Sequence, residues 1–228
     1  MTGPETGFDA MERGGEPRGG RHGSGFWLAS GLLDLLAAAD PRRALAAHAR
    51  AAAAHAGLLA RAMGLGGAGF LLELERGALL HDIGKSAVPG AILEKAAPLD
   101  DLEREIVREH PVTGFRMLEG FGLLGPAAEI VLCHHERWDG RGYPLGLRGG
   151  RIPLGARILA VADALDALTA DRAYSRARPM DEAVEIIAES RGRHFDPAVV
   201  DVFLSVPAAD WRRAGRGAAA LVRPPSVH

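Results

Sequence analysis

The 228-residue chain holds one cysteine, Cys133, which excludes an internal disulfide and makes a reducing cytoplasm the natural compartment. Aromatic residues make up only 5%. With 47% hydrophobic residues, the core must therefore be built from Ala, Leu, Val and Ile, a mix that favours closely packed helices. The formal net charge of −2 is too balanced for a protein that coats a nucleic-acid polymer, although local basic clusters remain free to take a small anion. The first residues lack the apolar stretch of a signal peptide. No run reaches the length of about 18 apolar residues that a membrane span needs. Phe26 to Leu36 is apolar but too short, and reads as a helix docked on the body. No segment alternates with the period of a strand, and there is no internal repeat. The expectation is an all-α, cytoplasmic protein.

What is present divides the chain into three parts. Residues 1–25, rich in Gly, Arg and Glu, are predicted to be disordered. Residues 26–205 read as one helical domain, and residues 206–228 as a loosely ordered tail in which Trp211 is a candidate to dock. Within the domain, an apolar helix around Leu32–Leu36 stops near Asp40-Pro41, and an Ala-rich helix runs Ala44–Met63 with Gly64 as its cap. Phe70–Ile83 ends at Gly84, and Ser86–Pro98 is a loop with room for short turns. Asp100 with Glu103 forms a capping box for a helix through about Gly120. Ala127–Glu136 is short, and Trp138–Pro153 is a Gly/Pro/Arg loop. Ile158, Val161, Leu165 and Leu168 recur with helical spacing; Asp181–Ser190 and Pro197–Leu204 close the domain.

The chemistry lies in polar residues set inside apolar runs. His81-Asp82 follows Ala78-Leu79-Leu80, and a side-by-side pair in such a stretch needs partners. Lys85 lies four residues past His81. His134-His135 follows Val131-Leu132-Cys133. Neighbouring side chains on a helix diverge by about 100°, so both reach one centre only if it holds two metals or if the helix is ending. Asp163 sits in Leu159–Leu165, where a lone carboxylate must be paired or metal-bound, and Asp166 is a candidate second partner. His110 precedes Pro111; His48 and His55 share the Ala-rich helix, and periodicity alone does not separate them. Imidazoles and carboxylates without thiolates suit iron, manganese or zinc. Six or seven such residues exceed the needs of one ion. Two metals about 3.5–4 Å apart can clamp a phosphodiester and turn a bridging water into hydroxide, with Asp82 the natural shared carboxylate.

The motifs His81-Asp82-Ile83-Gly84-Lys85 and His134-His135-Glu136-Arg137-Trp138-Asp139-Gly140-Arg141-Gly142-Tyr143-Pro144 resemble the HD-GYP domain of the HD phosphohydrolase superfamily. The match continues through Ile152-Pro153-Leu154, Val161-Ala162-Asp163, Asp171-Arg172-Ala173-Tyr174 and His194-Phe195-Asp196-Pro197, and spans roughly residues 30–205. The resemblance implies a bacterial signalling hydrolase, an all-helical HD bundle with a Gly-Tyr-Pro loop at the active-site rim. It implies two or three metals, usually iron or manganese, and hydrolysis of cyclic di-GMP to pGpG and often on to GMP. Carried over, the ligands are His48, His81, Asp82, His110, His134, His135 and Asp163, with His48 rather than His55 as the first of them. Lys85 and Asp82 are the catalytic residues. Lys85, Arg172, Arg176 and Tyr143 face the substrate, while Glu136, Arg137 and Asp139 are assigned to the scaffold. The loop also implies a docking surface for a signalling protein. A homodimer is allowed for; a nucleic-acid polymer and a membrane are not expected.

Three positions depart from the family pattern. Where members with a third metal carry Glu, this chain has Ala44, so two metals are expected. An Arg of the first helix is replaced by Ala51, and a basic residue after Tyr174 by Ser175, with Arg176 and Arg178 behind it. The last change opens one alternative, another cyclic dinucleotide or nucleotide as substrate; a separate alternative is a weakly catalytic adaptor working through the Gly-Tyr-Pro loop. Cys133 reads as a small core residue and His194 as structural. With no receiver or sensor domain in these residues, regulation is expected from expression, a partner in trans, or metal and redox state.

Overall fold

Alanine decides how near the helices come. The first described helix, α1 (Ala44–Ala62), buries Ala46, Ala49, Ala52, Ala53, Ala56 and Ala60. It packs against α2 (Ala68–Leu80), α7 (Leu154–Thr169) and α10 (Ala208–Ala220). Methyl side chains let these neighbours approach closely, and the larger Leu59, Leu74, Leu80, Ile158, Leu159 and Leu165 fill what remains. The computed structural model describes residues 31, 44–119, 125–171 and 176–220. Among these there is no strand, only an isolated bridge between Arg191 and Phe195. The all-α expectation agrees with this. No described helix is long and apolar enough to cross a membrane. The expected disordered start, the helix at Leu32–Leu36, and Arg172, Tyr174 and Ser175 lie outside the described residues.

Between α2 and α7 the chain makes a 3-10 turn (Ile83–Ala87), then α3 (Gly90–Leu93), α4 (Asp101–Arg108), α5 (His110–Glu119) and α6 (Gly125–Cys133). The segment Ser86–Pro98, expected to be a loop, thus contains part of the 3-10 turn and one short helix. The capping box is present: Asp100 accepts from the Glu103 amide while Glu103 accepts from the Asp100 amide. The single helix expected from Asp100 to Gly120 is two, because the chain breaks at Glu109 and restarts at His110. The helix expected to run through Glu136 stops at Cys133, and the one expected to run through Ile83 stops at Leu80. In each case the site histidine replaces the next turn of helix, for reasons given below.

Over residues 206–220 the structure differs from the expectation of a loose tail, while residues 221–228 lie outside the described residues. After α8 (Met180–Glu189) and α9 (Pro197–Ser205), Ala208–Ala220 forms α10, laid on α1. Trp211 is 1% exposed, stacked near Phe203 with centroids 5.0 Å apart. Its carbonyl accepts from His55 Nε2 at 3.2 Å, while His55 Nδ1 is buried without a partner among the described residues. Composition alone conceals this, because Arg and Gly on the outer face mask one aromatic anchor.

His55 gives a pH prediction. Burial lowers its pKa from the usual 6.5, against the charge of Asp166 and the Trp211 carbonyl. The unfolded chain then binds a proton at His55 that the folded chain resists. Its stabilising contribution is full above the unfolded value and is lost as pH falls from there toward the folded one. Between about pH 7.5 and about pH 5.5 the melting temperature should fall more steeply in the wild type than in His55→Gln, which keeps a donor and does not titrate. Parallel melting curves would show that His55 makes no contribution.

Candidate metal centre and active site

A helix leaves its last carbonyls without intrahelical partners. Three site histidines exploit this in one way. His81 Nδ1 donates to the Ala78 carbonyl at the end of α2 (2.8 Å), His110 Nδ1 to Val107 at the end of α4 (2.7 Å), and His134 Nδ1 to Val131 at the end of α6 (2.7 Å). Carbonyls only accept, so each ring carries its proton on Nδ1 and turns the Nε2 lone pair inward. Because α6 ends at Cys133, His134 and His135 both turn to the same side, with centroids 4.0 Å apart. Of the two ways for adjacent histidines to share a centre, the ending helix is the one used here.

His48 comes from the second turn of α1. Its Nδ1 donates to Asp166 at 2.5 Å, and its Nε2 lies 2.9 Å from Asp163 Oδ1. Asp163 and Asp166 are three apart on α7, so one helix face supplies both carboxylates. His55 faces α10 instead, so tertiary placement separates the two histidines that periodicity left tied. Asp82 stands in the middle. Its Oδ1 is 3.3 Å from His110 Nε2 and 4.0 Å from His134 Nε2; its Oδ2 is 3.5 Å from His81 Nε2 and 2.6 Å from Lys85 Nζ. Lys85 does not lie on a continued helix; the 3-10 turn brings it back onto Asp82.

Two groups could each take a metal ion: His48 with His81 and Asp82, and His110 with His134 and His135. Asp163 reaches the first group, 2.9 Å from His48 and 3.9 Å from His81. The donor chemistry tests the fit. His110 and His134 turn their Nε2 atoms toward each other at 3.2 Å, and both rings are protonated on Nδ1. Two lone pairs at that distance repel unless a cation sits close to both. These residues therefore fit hard or borderline divalent ions bound by nitrogen and oxygen.

Electrostatics prepare the same ligands. Burial, then the neighbouring imidazoles, pushes His134 well down, and burial lowers His135 to about 4. Burial also lowers His81, against the pull of Asp82 and Asp163. These three rings stay neutral, as ligands must. His48 is the exception: burial opposes a charge on it, but its hydrogen bonds to Asp163 and Asp166 raise it to about 9, so it must give up its Nε2 proton before it can bind an ion. Burial would raise Asp82, yet the Lys85 ammonium holds it well below the usual carboxylate range; Asp163 is held down in the same way by His48. Burial and Glu136 lift the Cys133 thiol to about 12, so it remains protonated in the core.

The Gly-Tyr-Pro loop is held close to the second group. Glu136 is buried and accepts from the amides of Leu145 (2.6 Å) and Leu147 (2.9 Å). The Tyr143 amide donates to the His135 carbonyl at 3.3 Å. A Cβ on Gly142 would stand 2.3 Å from the Arg137 nitrogen and 2.6 Å from the His135 carbonyl, so only glycine allows this approach. Tyr143 stacks on His135, with centroids 4.9 Å apart and planes at 25°. The other end is tied to the His194–Pro197 motif: Trp138 and Asp139 donate to the His194 and Arg193 carbonyls, and Asp196 pairs with Arg157 at 2.6 Å. Of the expected substrate residues, Lys85 is partly accessible, Tyr143 borders His135, and Arg176 is exposed in the segment after α7. Arg172 lies outside the described residues. Sequence reasoning missed Arg108, whose guanidinium lies over the Tyr143 ring; no motif marks it.

A family model of the HD domain matches residues 33–199. The chain is 46% identical over 140 residues to a cyclic di-GMP phosphodiesterase of Vibrio cholerae, covering 58% of this chain and 28% of that protein. It is 42% identical over 171 residues to the cyclic di-GMP phosphodiesterase response regulator RpfG of Xanthomonas campestris, covering 74% of this chain and 45% of that protein. It thus spans less than half the length of these relatives. Among solved structures it resembles Bd1817, an HDG"Y"P protein from Bdellovibrio bacteriovorus, with a TM-score of 0.60 over 81% of this chain and 62% of that one. At 19% identity that likeness shows the fold.

Proposed function

The chain belongs to the HD-domain family, in its HD-GYP branch, and on that footing we propose that it is a two-metal phosphodiesterase that hydrolyses cyclic di-GMP to pGpG and on to GMP. The observation that carries the reading is Asp82, whose two oxygens face the two histidine groups. His48, His81, Asp82 and Asp163 would hold one ion, and His110, His134 and His135 the other, with Asp82 shared. Iron or manganese suits such a set of imidazoles and carboxylates. Ions bound there supply Lewis acidity toward phosphoryl oxygens and acidify water.

Hydrolysis adds water across one P–O3′ bond: the water oxygen bonds to phosphorus, the 3′ oxygen departs, and it takes up a proton. The residues of this chain serve that reaction by placement. The Lys85 side chain is partly open to solvent and its Nζ is anchored on Asp82, so it can meet a phosphate oxygen and offset the charge that grows in the transition state. Asp166 keeps His48 oriented from behind. Arg172 and Arg176, which follow α7 in the sequence, are assigned to the phosphates of the dinucleotide. The expected result with purified protein loaded with manganese or ferrous iron is conversion of cyclic di-GMP to pGpG and GMP. With two ions verified bound, product from a different cyclic dinucleotide alone would reassign the substrate, and no product from any would leave only the adaptor role.

A further inference from the structure

The ring of His135 lacks the device that orients its neighbours. His81, His110 and His134 each donate Nδ1–H to a helix-end carbonyl, whereas among the described residues no hydrogen bond holds the His135 ring. Its plane is set by ring contacts instead, and the nearest to parallel is the Tyr143 stack at 25°. Tyr143 in turn carries a cation: the Arg108 guanidinium carbon lies over its ring, 4.8 Å from the centroid. Arg108 is the last residue of α4, two before His110. It therefore fastens the segment carrying His110 to the loop beside His135, and His110 meets His135 edge-on at 5.0 Å.

We infer that Arg108 is a positioning residue for the second metal group, acting through Tyr143 on His135. A guanidinium attracts the electron-rich face of a phenol ring, and a planar cation suits that face better than an ammonium does. The ring so held can rotate less, and so can the imidazole stacked on it. Ligand orientation by a partner outside the coordination sphere commonly governs metal affinity by 10- to 100-fold. The surface pair of Arg108 with Glu105 at 3.0 Å is half exposed and contributes little by itself. The inference rests on the metal-ligand reading of His110, His134 and His135, but not on the identity of the substrate.

The test is a manganese titration of the metal-freed full chain, with no substrate present. Arg108→Met should weaken one of the two binding events about 10-fold while leaving the other and the melting temperature unchanged. Arg108→Lys should recover part of that loss. In a Tyr143→Ala background, Arg108→Met should add nothing further. Full manganese affinity in Arg108→Met, or the same loss with and without Tyr143, would overturn the inference. Failure to hydrolyse cyclic di-GMP would overturn the proposed substrate and leave this result standing; failure of the wild type to bind manganese would overturn both.

Discussion

Asp82→Asn should lose most of the bound metal and about 10³-fold or more in turnover, with the helical fold intact. The carboxylate is 4% exposed and touches both histidine groups and Lys85. Asparagine keeps the volume but removes the negative charge and one acceptor. The histidine lone pairs then share no anion, and Lys85 loses the group that anchors it. The loss should exceed that at Asp166→Asn, which touches only His48 among the site residues. Metal content by elemental analysis and turnover of the loaded protein check it. An Asp82→Asn protein that retains two ions and wild-type turnover would remove Asp82 from the centre.

Gly84→Ala should unfold the protein about 10 °C earlier and dismantle the same centre from the other side. A Cβ at Gly84 would stand 2.0 Å from the His110 carbonyl oxygen, 2.6 Å from the Gly114 nitrogen and 2.9 Å from the His110 carbonyl carbon. All three are backbone atoms of α5, so no side chain can swing away and the helix itself must retreat. Overpacking of this kind costs about 3 kcal/mol or more. Since α5 begins with His110, its retreat also carries a ligand off position, and a shift of about 1 Å is enough to cost about 10²-fold in rate. Gly66→Ala is the control, with nothing within 4 Å of the added methyl. Equal melting temperatures for the two variants would mean that α5 yields without strain. The glycine between Ile83 and Lys85 is thus a contact surface, and the motif His81-Asp82-Ile83-Gly84-Lys85 joins two proposed ligands, a cation and the bed of a helix in five residues.

Much of the centre was legible because its residues break local rules. A His-Asp pair, a His-His pair and a lone Asp in apolar helices are costly unless they share partners, so each was visible from its neighbours alone. Asp166 was visible too, three residues from Asp163 on the same face. Arg108 was not, since an arginine on an exposed helix ordinarily has nothing to explain. The tail was misjudged for a related reason: the 13 residues of α10 are mostly Ala, Arg and Gly, and their docking depends on one buried tryptophan and on the alanine face of α1.

The sequence by itself determined the helical class, the kinds of ligand, the order of the motifs and the Asp100 capping box, because these depend on composition, short-range periodicity and contacts within a few residues. Only the tertiary structure decided where α2, α4 and α6 stop, which of His48 and His55 enters the centre, and how the Gly-Tyr-Pro loop is pinned. The physical reason is distance along the chain. His48 meets Asp166 across 118 residues and His55 meets Trp211 across 156. Within an alanine helix the two histidines are locally equivalent, and only the faces packed against them, one acidic and one apolar, place one in the candidate metal centre and leave the other a buried neutral ring.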